Sequence, residues 1–193
     1  PYGLFGRWLS EAEQTEPNDP NAMALSTVDG AGRISCRMVL LKSFDQQGFV
    51  FYTNRDSDKG RALRTNPTAA LLFHWKSLRR QVRIEGKVKE MDNHLADDYF
   101  QARPRDSQIG AWASQQSRPM TSRQQLVDEF HRYQQQFATG AKPQPIPRPS
   151  YWVGYRLIVD RFEFWQDRSN RLHERLVFIN QPTGVFTQEI LFP

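Results

Sequence analysis

Apolar and polar residues alternate in short runs over most of the chain after residue 21, which is the pattern of β-strands with one buried face. These runs predict strands at Ala22–Val28, Arg33–Lys42, Gly48–Thr53, Thr68–Trp75, Gln81–Met91, Tyr151–Val159, Phe162–Gln166, Arg171–Ile179 and Val185–Phe192. Turn residues separate neighbouring runs, and Asp29–Gly32 predicts a hairpin turn. Many short strands with a few inserted helices indicate a mainly β, α+β fold built on an antiparallel, barrel-like sheet.

Three segments follow a helical period instead and predict helices at Ser57–Asn66, Asp92–Phe100 and Thr121–Phe137. The third helix carries one apolar stripe, which we expect to serve packing and which consists of Leu126, Phe130, Tyr133 and Phe137. Residues 1–19 are interpreted as an N-terminal lead-in. Residues 142–150 contain four prolines and predict an extended connector.

Length and composition limit the class of protein. With 193 residues, 38% hydrophobic and 24% charged, the chain is expected to form a single domain over residues 1–193. The one cysteine, Cys36, excludes an intrachain disulfide framework, so we expect a cytoplasmic location. No apolar run approaches the roughly 20 residues of a membrane-spanning helix, and we expect no membrane partner.

The basic residues are strongly biased towards arginine. The formal net charge is +5, and the 26 basic residues are twenty Arg and six Lys. Arginine suits phosphate and carboxylate ligands, although a solvated basic surface explains such a bias more often.

The familiar catalytic motifs are missing from the sequence. It contains no dinucleotide fingerprint, P-loop, G-x-S-x-G elbow or H-E-x-x-H pair. The histidines are far apart, at His74, His94, His131 and His173, and we expect no metal. An enzyme with this sequence would draw difficult chemistry from an organic cofactor.

The segment Arg171–Arg175 concentrates basic side chains near the C-terminus. On a strand, Arg171, His173 and Arg175 would share one face, because alternate side chains point the same way. Such a face would bind an anion or an electron-rich ring. A solvated edge strand explains the pattern equally well.

A second group of hydrogen-bond donors follows the helix predicted at Asp92–Phe100. Tyr99 and Arg103 are four residues apart, and Pro104 turns the chain towards Ser107. A phenol, a guanidinium and a hydroxyl together suit a phosphate monoester. For Arg103 alone, capping of the helix C-terminus is a strong alternative.

Basic and hydroxyl residues also flank two of the predicted strands. Arg37 and Lys42 are five residues apart, which places them on opposite faces of a regular strand. Further along, Tyr52 and Thr53 precede a helix start that contains Lys59, a position where backbone amides receive phosphate. The alternative is an ordinary N-capped surface helix.

Taken together, these segments resemble the pyridoxine/pyridoxamine 5'-phosphate oxidase family. The shared motifs occur in the family's order between Asp19 and Val177. The stretches Arg103–Trp112 (RPRDSQIGAW) and Arg171–Arg175 (RLHER) are specific to the family. The individually weaker motifs are Arg37–Lys42, Tyr52–Asn54, Arg80–Val82, Tyr99–Phe100, Gln116–Ser117 and Glu163–Gln166.

The resemblance implies a split β-barrel homodimer of the FMN-binding type, with FMN at the subunit interface. It implies FMN contacts from Arg37, Lys42, Tyr52, Thr53, Lys59, Gln81, Gln116, Ser117, Trp165 and Arg175. The substrate phosphate would be bound by Lys42, Tyr99, Arg103 and Ser107. Arg171 and His173 would contact the substrate ring as the candidate catalytic residues.

The reaction implied by the resemblance is the oxidation of pyridoxine or pyridoxamine 5'-phosphate to pyridoxal 5'-phosphate. Hydride passes to the flavin, and O2 reoxidises the flavin to give H2O2. Two positions depart from the family's usual pattern, because Asp58 replaces a basic residue and the chain ends in Glu189–Pro193 rather than Arg-Leu-Ala-Pro.

Three other functions remain open at this stage, and one of them is a flavin-binding barrel without oxidase activity, which Asp58 leaves open. A related FMN oxidase of phenazine biosynthesis shares the barrel and the Arg-x-His-x-Arg pattern, but its substrate carries no phosphate for Tyr99, Arg103 and Ser107 to bind. A sequence pI of about 9.6 and 12% aromatic residues are also typical of a nucleic-acid-binding β-barrel, although the resemblance implies no nucleic acid partner.

Overall fold

A computed structural model describes residues 1–138 and 145–193, and in these ranges the chain forms five α-helices and nine strands. In chain order they are α1 (Tyr2–Thr15), β1 (Ala22–Val28), β2 (Ile34–Leu40), β3 (Ser43–Asp45), β4 (Gly48–Asn54), α2 (Asp58–Thr65), β5 (Thr68–Trp75), β6 (Arg80–Glu90), α3 (Asn93–Gln101), α4 (Arg105–Ala113), α5 (Arg123–Gln136), β7 (Trp152–Gln166), β8 (Glu174–Asn180) and β9 (Phe186–Leu191). A 3₁₀ turn at Ser169–Arg171 lies between β7 and β8.

The strands form one sheet in the order β2-β1-β5-β6-β7-β4-β3, with β8 paired to β7 and β9 to β8. The pairs β1–β2, β1–β5, β3–β4, β5–β6, β7–β8 and β8–β9 are antiparallel. In β1 and β5 buried residues alternate along the strand, which is the pattern of a sheet with one face in the core. The α+β fold with an antiparallel sheet is therefore confirmed.

The described residues divide into two compact units. The first comprises residues 1–51, 62–89 and 155–193 and contains α1 and most of the sheet. The second comprises residues 52–61 and 90–154 and contains α3, α4 and α5. The single domain expected from the sequence stays a prediction.

Helix α1 occupies most of the segment that the sequence analysis interpreted as a lead-in. Its Phe5 is fully buried, and the ring contacts those of Phe49 and Phe73 edge-on at 4.8 and 5.0 Å between centroids. Burial of aromatic side chains contributes much of the stability of a small core. The segment is thus part of the core of the first unit.

The second unit has its own core, made of Phe100, Ile109, Ile146 and Trp152. The stripe predicted on α5 packs against this core through Phe130, Tyr133 and Phe137, whereas Leu126 remains 38% exposed. Helix α4 was not predicted. Residues 142–144 of the predicted connector lie outside the described residues, and residues 145–150 form neither helix nor strand.

Four strand predictions need correction. The predicted strands at Tyr151–Val159 and Phe162–Gln166 are one 15-residue strand, β7. Arg161, one of the polar residues that suggested a break, lies within this strand and forms ion pairs with Glu163 and Glu85. The strand predicted at Arg33–Lys42 ends at Leu40. The strand predicted at Arg171–Ile179 begins only at Glu174.

The late start of β8 has a conformational cause. Asn170 and Arg171 adopt left-handed φ angles of 59° and 62°, which a strand cannot contain. Arg171, His173 and Arg175 therefore do not share one face of a strand, and that prediction is wrong. Only Arg175 lies in β8.

No helix among residues 1–138 and 145–193 combines the length and apolar character needed to cross a membrane.

Candidate active site

The second unit places three of the candidate residues around one buried ammonium group. Lys59 is 9% exposed, and its Nζ donates to Oε1 of Gln116 at 2.8 Å and to Oγ of Ser57 at 3.3 Å. The hydroxyl of Thr53 donates to the same Gln116 oxygen at 3.3 Å. We call Thr53, Ser57, Lys59 and Gln116 the lysine cluster. A buried ammonium group beside the start of a helix suits an anionic ligand.

The start of α2 fixes the geometry of the lysine cluster. Ser57 is fully buried, and its hydroxyl donates to the backbone oxygen of Asn54 at 2.7 Å. Asp58, the first residue of α2, is exposed and forms an ion pair with Arg61 on the next turn. A carboxylate in the first turn stabilises a helix through its dipole. Asp58 therefore has a local structural role.

Three aromatic rings form a parallel stack in the same unit. Tyr52 stacks on Tyr99 at 4.3 Å and on Trp152 at 5.0 Å between centroids, with interplanar angles of 14° and 7°. We call Tyr52, Tyr99 and Trp152 the aromatic stack. A side chain at Gly154 would meet the Tyr52 ring at 2.8 Å, so the stack requires glycine there.

Arg103 packs on this stack and is incompletely hydrogen-bonded. Its guanidinium lies 4.8 Å from the centroid of Trp152, a cation–π contact. Nη1 is buried and makes no hydrogen bond within the part of the chain that the structure describes. Burial lowers the pKa of Arg103, and the phenol of Tyr99 opposes this shift. Because arginine stays charged in proteins, Arg103 presents a partly buried cation whose buried Nη1 is an unused donor.

Ser107 and Ser117 occupy special backbone positions in the second unit. Ser107 lies in the first turn of α4, which follows Pro104 and has no side-chain cap. The side chain of Gln108 joins α4 to the end of α3, because its Nε2 donates to the backbone oxygen of Phe100 at 2.8 Å. Ser117 is exposed, with a left-handed φ of 69° in the loop before α5.

In the first unit, Arg37 and Lys42 occupy different elements. Arg37 lies in β2, where Nη1 donates to the hydroxyl of Thr27 at 2.8 Å and to the backbone oxygen of Leu25 at 3.0 Å. Lys42 is exposed beyond the end of β2, and its backbone nitrogen donates to Val50. The prediction of opposite faces on one strand is wrong, since the strand has ended before Lys42.

A buried carboxylate organises the candidate residues of β7 and β8. The side chain of Glu163 is 7% exposed and accepts from Arg83, Arg161 and Arg175 at 2.7 to 2.9 Å. Burial would raise the pKa of Glu163, but the hydrogen bonds from Arg175 and Arg161 outweigh it and hold the pKa below its usual range. We call Glu163 and these three residues the arginine network.

The arginine network borders a concavity in the first unit. Its lining includes Gln81, Trp165 and Arg175, together with Leu72 and Pro193. Polar donors and an aromatic ring on a concave surface suit a planar ligand with polar edges.

His173 lies in the connection between β7 and β8, which we call the histidine loop (residues 167–173). Its Nδ1 is 3.0 Å from Oδ1 of Asp167, and its ring centroid is 4.7 Å from that of Trp165. Arg171 is exposed in the same loop. Sequence reasoning missed Asp167. In an irregular loop no spacing rule predicts that two residues six positions apart are in contact.

Comparisons with known proteins identify the family to which the chain belongs. A family model described as Pyridoxamine 5'-phosphate oxidase matches residues 9–137. Another, described as Pyridoxine 5'-phosphate oxidase C-terminal dimerisation region, matches residues 152–193. The resemblance seen in the sequence is therefore confirmed.

Two relatives named pyridoxine/pyridoxamine 5'-phosphate oxidase match the whole chain. The protein from Sphingopyxis alaskensis is 55% identical, and the match covers 87% of its length. The protein from Caulobacter vibrioides is 54% identical, and the match covers 85% of its length.

Solved structures show the same fold. PhzG from Burkholderia lata 383, in complex with tetrahydrophenazine-1-carboxylic acid, superposes with a TM-score of 0.91 at 30% identity and covers 100% of this chain and 92% of its own. A pyridoxamine 5'-phosphate oxidase-related, FMN binding protein from Nostoc punctiforme gives 0.78 at 16% identity, covering 99% and 96%. These neighbours confirm the predicted split-barrel fold class.

Proposed function

Because the chain belongs to the pyridoxine/pyridoxamine 5'-phosphate oxidase family, we propose that it oxidises pyridoxine or pyridoxamine 5'-phosphate to pyridoxal 5'-phosphate. The observation that carries the proposal is the buried Nη1 of Arg103, which makes no hydrogen bond within the described residues. A phosphate oxygen is the acceptor that such a group requires. Tyr99 and Ser107 supply further donors, and Lys42 supplies a second cation.

The chain's residues fit FMN as the cofactor. Lys59 is buried in the lysine cluster at the start of α2, a position that suits the FMN phosphate. The concavity beside the arginine network offers polar and aromatic groups for a ring system. We propose that FMN is bound by Arg37, Lys42, Tyr52, Thr53, Lys59, Gln81, Gln116, Ser117, Trp165 and Arg175.

FMN, when bound, supplies the chemistry that no side chain offers, accepting hydride and passing the electrons to O2 to give H2O2. The protein's own residues bind and orient the substrate. Arg103 holds the phosphate end, and Arg171 and His173 orient the ring and stabilise the charge that develops as hydride leaves. The match to the dimerisation region indicates a homodimer, and we propose that the sites lie at its interface.

An absorbance experiment tests the proposal directly. The purified protein should be yellow, and anaerobic addition of pyridoxine 5'-phosphate should bleach the flavin band, which air should restore with release of H2O2. Arg171→Ala and His173→Ala should each lower kcat/KM while flavin stays bound. A colourless protein that takes up no FMN, or normal turnover by both variants, would contradict the assignment.

The likeness to PhzG favours one second candidate, an FMN oxidase acting on a phenazine precursor without phosphate. Turnover of pyridoxine 5'-phosphate and of unphosphorylated pyridoxine separates the two functions. A strong preference for the phosphorylated compound supports the first, since only that compound satisfies Arg103. Equal turnover supports the second.

A further inference from the structure

The histidine loop contains an acidic residue for which neither the sequence motifs nor the comparisons suggest a role. Asp167 directly follows β7, and its side chain is 15% exposed. Its Oδ1 lies 3.0 Å from Nδ1 of His173, and its Oδ2 forms an ion pair with Arg79 from the turn between β5 and β6. The backbone adds a further link, because the amide of Asp167 donates to the carbonyl of Arg79 at 3.0 Å.

We propose that Asp167 is a positioning residue that selects the Nδ1–H tautomer of His173 and fixes its ring. The carboxylate accepts a hydrogen bond from Nδ1–H, which leaves Nε2 as the nitrogen that can accept one from the substrate. This inference rests on the proposed function, in which His173 contacts the substrate ring.

A second group competes with Asp167 for Nδ1 of His173 and would favour the other tautomer. The backbone amide of Arg168 lies 3.2 Å from the same Nδ1 of His173. The amide can donate a hydrogen bond to Nδ1 only when Nδ1 carries no proton. Asp167 can accept a hydrogen bond from Nδ1 only when Nδ1 is protonated. The distance from Nδ1 to the carboxylate oxygen is the shorter of the two, and a hydrogen bond to a carboxylate is charge-assisted, so we expect Asp167 to prevail.

The neighbours of His173 keep Asp167 in place and limit the motion of the ring. Arg79 anchors Asp167 from outside the loop, so the carboxylate does not depend on the loop alone for its position. The Trp165 ring lies against the imidazole at 4.7 Å between centroids. His173 is 22% exposed, which leaves part of the ring open to a ligand.

Nitrogen NMR of protein labelled with ¹⁵N-histidine tests the tautomer without any turnover. In the unsubstituted protein, Nδ1 of His173 should show the signal of a protonated nitrogen and Nε2 that of an unprotonated one. In Asp167→Ala the Arg168 amide remains as the partner of Nδ1, so the two signals should exchange. Comparison with His173→Ala assigns the resonances.

Kinetics provide the second readout. Asp167→Ala should lower kcat roughly 10-fold, with KM changed less than about 2-fold, because the lost orientation matters most in the transition state. The matched control is Glu174→Ala. This substitution removes the carboxylate next to His173 in the sequence, at the start of β8, together with its ion pair with Arg168. It leaves the contact between Asp167 and His173 intact. This control should retain the tautomer and kcat of the unsubstituted protein.

The outcomes separate this inference from the proposed function. Identical ¹⁵N signals for His173 with and without Asp167 would overturn the inference, even if the protein oxidises pyridoxine 5'-phosphate. An exchange of signals in a protein that does not turn over this compound would support Asp167 and reject the proposed function. If Asp167→Ala does not fold, an unprotonated Nδ1 in the unsubstituted protein still overturns the inference.

Discussion

Arg103 combines a permanent charge with a buried donor atom that has no acceptor within the described residues. Leaving such a donor unsatisfied costs about 1–3 kcal/mol, and more for a charged group. The ring of Trp152 supports the guanidinium from one side and cannot replace a hydrogen bond. The arrangement is therefore stabilised when an anion binds, which is the behaviour of a preorganised phosphate site.

Replacement of Arg103 tests this at the level of one residue. We expect Arg103→Ala to lower kcat/KM for pyridoxine 5'-phosphate by roughly 30- to 100-fold, which corresponds to about 2–3 kcal/mol of charge-assisted hydrogen bonding. For unphosphorylated pyridoxine the change should be less than about 3-fold. Arg123→Ala, an exposed arginine at the start of α5, is the control. Equal losses for both substrates would contradict a phosphate contact.

Asp58 offers a second test, because the family usually has a basic residue there. We expect Asp58→Lys to tighten FMN binding roughly 3- to 10-fold, since a cation is added at the start of α2 near the lysine cluster. Loss of the ion pair with Arg61 and of the acidic first turn should lower the free energy of unfolding by less than about 1 kcal/mol.

Fluorescence titration of the apoprotein with FMN measures the affinity. Asp98→Lys makes the same charge change at an exposed position of α3 and should leave FMN affinity unaltered. Weaker FMN binding by Asp58→Lys would show that the acidic residue contributes to the site.

The residues that sequence reasoning found and missed differ in a physical way. Tyr99 and Arg103 could be grouped because their spacing on a helix end is regular, and the structure brings both to Trp152. Trp152 itself and Asp167 gave no signal. Trp152 reaches the site through contacts with residues about 50 positions away in the sequence. Asp167 contacts His173 through the fold of an irregular loop.

At the scale of elements, prediction succeeded where the hydrophobic pattern was regular and failed where it was weak. The bounds of β1 and β5 agree with the predicted ones, because each strand alternates buried and exposed residues between clear turn signals. Helix α4 buries only Gln108, Ile109 and Ala113, which is too weak an apolar pattern to detect. Pro104, which was predicted to turn the chain towards Ser107, directly precedes the first turn of α4.

The arginine network joins β6, β7 and β8 through Glu163, and its stability should depend on pH. The pKa of Glu163 is held below its usual range, so its contribution is present above the ordinary carboxylate pKa and is lost as pH falls through the folded value. Glu163→Gln should lower the free energy of unfolding at pH 7 by about 2–4 kcal/mol, since three arginines lose their buried acceptor.

Urea unfolding at several pH values measures this effect. The difference between the unsubstituted protein and Glu163→Gln should shrink as the pH falls below the ordinary carboxylate range, because Glu163 then becomes protonated in the reference protein. Glu85→Gln is the control, because Glu85 is 40% exposed and its ion pairs with Arg83 and Arg161 should contribute less than about 1 kcal/mol. A difference that does not vary with pH would contradict the role of the charge.

At the scale of the whole molecule, the C-terminal strand exposes apolar residues. Ile190 is 80% exposed and Phe192 94% exposed, and both lie in the region matched by the dimerisation model. Exposed apolar residues of this kind are typical of an interface.

Replacing one of these residues should weaken the dimer. We expect Ile190→Asp to raise the dimer dissociation constant at least 10-fold, because a charge would be buried at the contact. Sedimentation velocity over a dilution series measures the dissociation constant. Thr187→Asp, at an exposed position of the same strand, provides the matched control. Unchanged dimerisation of Ile190→Asp would place the interface elsewhere.

The location of His173 in an irregular loop has a consequence for protein engineering. Loops tolerate insertion and exchange better than strands do, because few ladder hydrogen bonds depend on them. We therefore expect that the segment from Asp167 to His173 can be exchanged or lengthened. The pairing of β7 with β8, which begins at the pair Gln166 and Glu174, should keep its register. If His173 contacts the substrate ring as proposed, we expect exchange of this peptide to change which aromatic compounds the protein accepts.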